Sequence, residues 1–180
     1  MMSIDDMLSQ VAKITGSTPP EPPKEKKKPV AVHNVKPDKL GLITKHSIGL
    51  DLAKEIIYCV EKGAKMMGLN AVIAIVNGDG RLVALEAMDN SYVASVKVAQ
   101  DKAYTAAALK MPTEVALEES RGGAFDGLSN GDGILLLGGG KPLMVNGEVI
   151  GAIGVSGGTK EEDIILAEIG VRYLDAKLTQ

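Results

Sequence analysis

Aromatic side chains are scarce in this chain: its 180 residues include one Phe, four Tyr and no Trp. A core must therefore be assembled from Ile, Val, Leu, Ala and Met. Cysteine is almost missing too. The lone Cys59 can form no internal disulfide, and one thiol makes no structural zinc site. Neither sign of charge dominates, with 20 basic and 23 acidic side chains and a net charge of −3. That balance creates no global field to draw in nucleic acid or an anionic membrane. No apolar run approaches the ~20 residues of a membrane span. The N-terminus carries Asp5 and Asp6 where a secretory signal would be basic, so the expected compartment is the cytoplasm.

Chemically versatile residues are also few. Histidine is limited to His33 and His46. No zinc-ligand spacing, nucleophile elbow or phosphate loop ending in Gly-Lys-Ser/Thr can be read anywhere. Asp79 and Asp89 are explained as turn and cap residues. Pattern alone does not compel an enzyme.

What is present begins with a short amphipathic stretch. Ile4, Met7, Leu8, Val11 and Ile14 fall on one helical stripe, with Ser3 as a cap and Gly16 as a stop. A helix this short is marginal alone in water and needs a partner to bury its stripe. Residues 17–39 follow as a linker rich in Pro and Lys, extended and solvated. The domain proper spans 40–180.

Thr44 or Ser47 is placed to cap a long helix running to about Met67, with Ile48, Leu52, Ile56, Val60 and Ala64 inward. Two β-rich runs, Ala71–Val76 and Arg81–Met88, flank the turn signal Asn77-Gly78-Asp79-Gly80. An Ala-rich helix spans about Ser91–Leu109, and Thr113–Glu119 forms a short one. Ile134–Leu137 reads as a buried strand, Pro142–Val145 and Glu148–Val155 as a hairpin around Asn146-Gly147, and Thr159 with Glu162 as a capping box opening the last helix. The order predicts an α+β domain: a five-stranded antiparallel sheet flanked by helices.

The candidate site residues are read two ways. His46, in the expected first turn of the long helix, is either an exposed polar side chain or an axial ligand to haem iron. Lys102 and Tyr104 stand on a helix of small residues. That helix either packs closely on the sheet or leaves a flat slot for a planar ligand with these two at its edge. Gly157, Gly158 and Thr159 precede a helix N-terminus, which suits either a plain turn or a carboxylate or phosphate. Cys59 reads as a packed thiol.

Three stretches taken together, "AVIAIVNGDGRLVALEAMD", "DKAYTAAAL" and "GGGKPLMVNGEVIGAIGVSGGTKEEDIILAEIG", resemble the GlcG/HbpS/PduO C-terminal family over about residues 42–175. The resemblance implies a profilin- or PAS-like fold, assembly into hexamers or octamers, and haem binding, with cobalamin as another possible tetrapyrrole. It implies His46 as the metal ligand, Lys102 and Tyr104 lining the pocket, and Gly157–Thr159 meeting a propionate. The adenosyltransferase domain of full PduO proteins has no counterpart here, so corrinoid adenosylation is not expected. The opening helix on its linker resembles a microcompartment encapsulation peptide, implying shell or cargo proteins as partners through residues 1–16. The expected role is a haem-binding accessory protein carried as cargo inside a bacterial microcompartment. The alternatives are a small-molecule or haem-degrading enzyme using the same pocket, and a ligand-free oligomeric assembly protein.

Overall fold

The computed structural model describes Ser9 and residues 37–128 and 131–179. The targeting helix expected at 1–16 (Ser9 apart) and most of the linker expected at 17–39 lie outside the described residues. The elements run α1 (Leu50–Met66), β1 (Val72–Asn77), β2 (Leu82–Ala87), α2 (Val93–Leu109), α3 (Thr113–Glu119), β3 (Gly140–Val145), β4 (Glu148–Ser156) and α4 (Lys160–Leu178). Antiparallel pairing gives one sheet of order β2-β1-β4-β3.

The predicted α+β class and both hairpins are present. The turn after β1 is closed by the Asn77 carboxamide, whose oxygen accepts from the N–H groups of Asp79 and Arg81. Asn146 and Gly147 both take positive φ, the geometry of a tight hairpin turn.

The fifth strand is a correction. Ile134–Leu137 joins no ladder, and the sheet has four strands. Hydroxyls satisfy this segment's backbone instead. The Leu135 N–H donates to Thr105 Oγ1 at 2.8 Å, and Thr113 Oγ1 donates to the Leu137 carbonyl at 2.6 Å. A polar backbone so paired has no need of a strand partner.

The sheet separates two unlike cores. On one face Ile73, Ile75, Ile153 and Val155 meet α1 and α4 through side chains such as Ile56, Val60, Leu166 and Ile169. On the other, Val72, Ala74, Val76 and Ala152 meet Ala99, Ala103, Ala106 and Ala107 of α2, with Leu85 and Val96 packed alongside. Alternation along β1 sends successive residues to opposite faces. The alanine face lets α2 lie close to the strands. At Gly154 a methyl group would collide with the Ala99 carbonyl oxygen and stand 2.5 Å from the Ala103 nitrogen. At Gly140 it would strike the Lys102 carbonyl. These contacts are with backbone, which cannot rotate away.

The long helix also starts later than expected. Gly49 is its N-cap, and Ile48 donates its N–H to the Ile150 carbonyl at 2.9 Å. The chain ahead of α1 is thereby held against β4, and His46 stands in this extended lead-in instead of a helical turn.

Candidate functional site

The residues singled out by sequence fall in three separate places. Lys102 and the glycines before α4 form the first. Lys102 lies on the sheet-facing side of α2 and is fully buried. Its ammonium donates to Asp163 Oδ2 at 2.6 Å and to the Val155 carbonyl at 2.8 Å. The other carboxylate oxygen of Asp163 accepts from the N–H groups of Gly157 and Gly158, each at 3.0 Å. The Thr159 N–H donates to Glu162 within the capping box. The helix N-terminus does receive carboxylates, as its dipole favours, but they are the chain's own.

Two expectations are corrected here. Lys102 does not edge a pocket, because its inward position and long stem carry the charge to Asp163. Gly157, Gly158 and Thr159 have no amide left for a propionate. Burial presses the Lys102 ammonium down and the Asp163 carboxyl up, and their mutual contact opposes both shifts.

Tyr104 occupies the second place. It lines a cleft of about 390 Å³ with Val76, Leu82, Lys97, Asp101 and Asp132. Its ring is wedged between two turns that need glycine. A methyl on Gly80 would lie 2.9 Å from the ring and one on Gly133 3.4 Å away, and both glycines have positive φ. Lys97 and Asp101 pair across one helical turn at the cleft wall.

His46 is the third. Its backbone N–H donates to Glu148 Oε1 at 3.1 Å, and its Nδ1 lies 2.8 Å from Glu148 Oε2. The His46 side chain is 81% exposed and that of Glu148 is 20% exposed. Beside it Lys45 reaches Asp79 at 3.6 Å. His46 stands ahead of α1 and Tyr104 on α2, and the Asp79 that Lys45 reaches is next to Gly80, which abuts the Tyr104 ring. Among the described residues no three His, Cys, Asp or Glu side chains converge on a point that would hold a metal ion.

Cys59 is packed, as read, and burial pushes its thiol up to about 11. Sequence reasoning missed Glu148 and Asp163. Glu148 directly follows the Asn146-Gly147 turn and had no motif to mark it. Asp163 stands in a run of three acids at a helix start, where a dipole-stabilising role explains it fully.

A family model described as "Haem degrading protein HbpS-like" matches residues 48–172. The chain belongs to the HbpS-like family. The matched region opens at residue 48, so His46 lies just outside it. Among relatives of this HbpS-like chain is an uncharacterized 15.0 kDa protein from the dhaT-dhaS intergenic region of Citrobacter freundii. It is 38% identical over 68% of this chain and 88% of its own length. The solved structure of Klebsiella pneumoniae protein ORFY superposes with a TM-score of 0.72 at 32% identity, covering 75% of this chain and 95% of that one. A crystal structure of a PduOC:heme complex superposes with a TM-score of 0.66 at 26% identity, covering 69% of this chain and 93% of its own. Among the described residues no helix is long and apolar enough to cross a membrane.

Removing one member of the buried pair should be costly. Lys102→Met leaves the Asp163 carboxyl buried without its cation, and we expect a loss of about 3–5 kcal/mol at neutral pH, measured by urea unfolding. With the ammonium gone, the native carboxyl holds its proton to higher pH than an Asp in the unfolded chain. Native protein then binds more protons than unfolded protein across the carboxyl range, so the variant's stability should fall as pH rises through it.

Proposed function

We propose that this protein binds haem, with His46 supplying an axial nitrogen to the iron. The observation that carries the reading is the likeness to the PduOC fold, which was crystallised as a heme complex. This chain's own donors fit such a group. Among the described residues His46 offers a single imidazole with an outward-facing ring, which suits a metal that arrives with four ring nitrogens already bound, and imidazole is a common haem-iron ligand. When bound, haem would supply redox or oxygen chemistry that the polypeptide lacks.

The wide exposure of His46 has a consequence for assembly. Among the described residues the His46 side chain is left largely open, and we infer that a second copy closes the site. This accords with a homo-oligomer, which we take to be a hexamer or octamer. Cobalamin is the competing tetrapyrrole and would meet the same imidazole.

The accessory role extends to location. The stripe Ile4, Met7, Leu8, Val11 and Ile14, carried on a Pro- and Lys-rich segment, is the pattern of a helix that docks in a groove. We place its partner among the shell or cargo proteins of a bacterial microcompartment. Several weak copies on one oligomer would bind with avidity. In this reading the protein is a packaged haem carrier that supports cofactor supply or recycling, or redox chemistry, in the compartment.

Two measurements test these claims independently. Titration of the full chain with hemin should shift the Soret band, and His46→Ala should abolish the shift. An unchanged spectrum in that variant refutes the ligand assignment. A tagged protein lacking residues 1–16 should become diffuse in cells that form microcompartments while still binding hemin. Retained localisation refutes the targeting role.

A further inference from the structure

We propose that Glu148 is a positioning residue for the His46 imidazole, fixing which ring nitrogen is offered to iron. The inference rests on the haem reading above and adds a residue to it.

One carboxylate makes two contacts with one residue. Glu148 Oε1 accepts the His46 backbone N–H at 3.1 Å, and Oε2 stands 2.8 Å from Nδ1. An ionised carboxylate can only accept hydrogen bonds. Nδ1 must therefore carry the proton, and in the neutral ring the lone pair is left on Nε2. Among the described residues no protein group bonds to Nε2, and the side chain is 81% exposed. The free donor atom is thus presented outward in a defined tautomer.

The grip is also rigid in a way a single contact would not be. Because Oε1 is tied to the main chain, the carboxylate cannot swing away from the ring without losing a second bond. The backbone on both sides is held as well: Ile48 bonds to Ile150 two residues on, and Lys45 faces Asp79 at 3.6 Å one residue before. Glu148 itself is the first residue of β4, set just after a tight turn. A surface His–Glu pair contributes about 0–1 kcal/mol to stability, so fold stability is a weak reason for so specific an arrangement. Histidines that bind metals commonly donate their second ring N–H to a carboxylate, which fixes orientation and raises ligand basicity. Glu148 and His46 reproduce that pairing with the metal side open.

The test uses the full chain with hemin as the probe and compares wild type, Glu148→Ala, Glu148→Gln and His46→Ala. Before hemin is added, long-range proton–nitrogen NMR at pH 8 should show His46 protonated on Nδ1 in the wild type, with His33→Ala used for assignment. Glu148→Ala should release the proton to both nitrogens and weaken hemin binding by about 10–100-fold. Glu148→Gln keeps an acceptor but loses the charge. It should restore the tautomer, recover part of the affinity, and raise the midpoint potential of the bound iron, since an anionic partner favours the ferric state. A folding defect alone would move none of these spectroscopic readouts in this pattern.

If His46→Ala abolishes the Soret shift while Glu148→Ala keeps wild-type affinity and tautomer, the positioning role is overturned and the haem reading stands. If His46→Ala leaves the Soret shift intact, both fall together.

Discussion

The approach of α2 to the strands governs the rest of the molecule. Gly154 and Gly140 let helix backbone touch strand backbone, and the alanines between them fill what space is left. A side chain at either glycine would have to push the helix off the sheet, since its neighbours are main-chain atoms. Interiors packed this closely hold few voids. The helix that sequence reading offered as one wall of a slot is instead sealed against its floor.

That closure decides the fate of the polar groups on α2. Lys102 points inward and can reach no solvent, so its charge must be met inside. Asp163 meets it, and in turn ties down the two glycine amides that begin the last helix. One network thus joins α2, the end of β4 and the start of α4. Tyr104, two residues along, projects to the rim between two glycine turns. Tyr104 faces its cleft from α2, and His46 stands exposed in the lead-in to α1.

Much of the fold was legible because its signals are local. The stripe of α1 names its own buried face, and Asn77–Gly80 and Asn146-Gly147 announce their hairpins. The capping box at Thr159 and Glu162 forms as its spacing indicates. Where reading failed, the deciding partner was distant in the chain. Ile134–Leu137 has the composition of a buried strand, yet threonine hydroxyls from α2 and α3 take its backbone bonds. Thr44 and Ser47 look like helix caps, but pairing of Ile48 with Ile150 holds that segment extended. Lys102 and Asp163 are 61 positions apart, and His46 and Glu148 are 102 apart. No short motif encodes such a pair. The individual residues were visible, while the bonds that define their roles belong to the tertiary structure.

The account stands on iron being held at the rim by one imidazole. Pulsed electron paramagnetic resonance on the ferric hemin complex of protein labelled with nitrogen-15 histidine addresses that directly. The account predicts a strong coupling from a single directly bound histidine nitrogen, lost in His46→Ala and kept in His33→Ala. A spectrum with no bound histidine nitrogen, or one that survives the loss of His46, would contradict it.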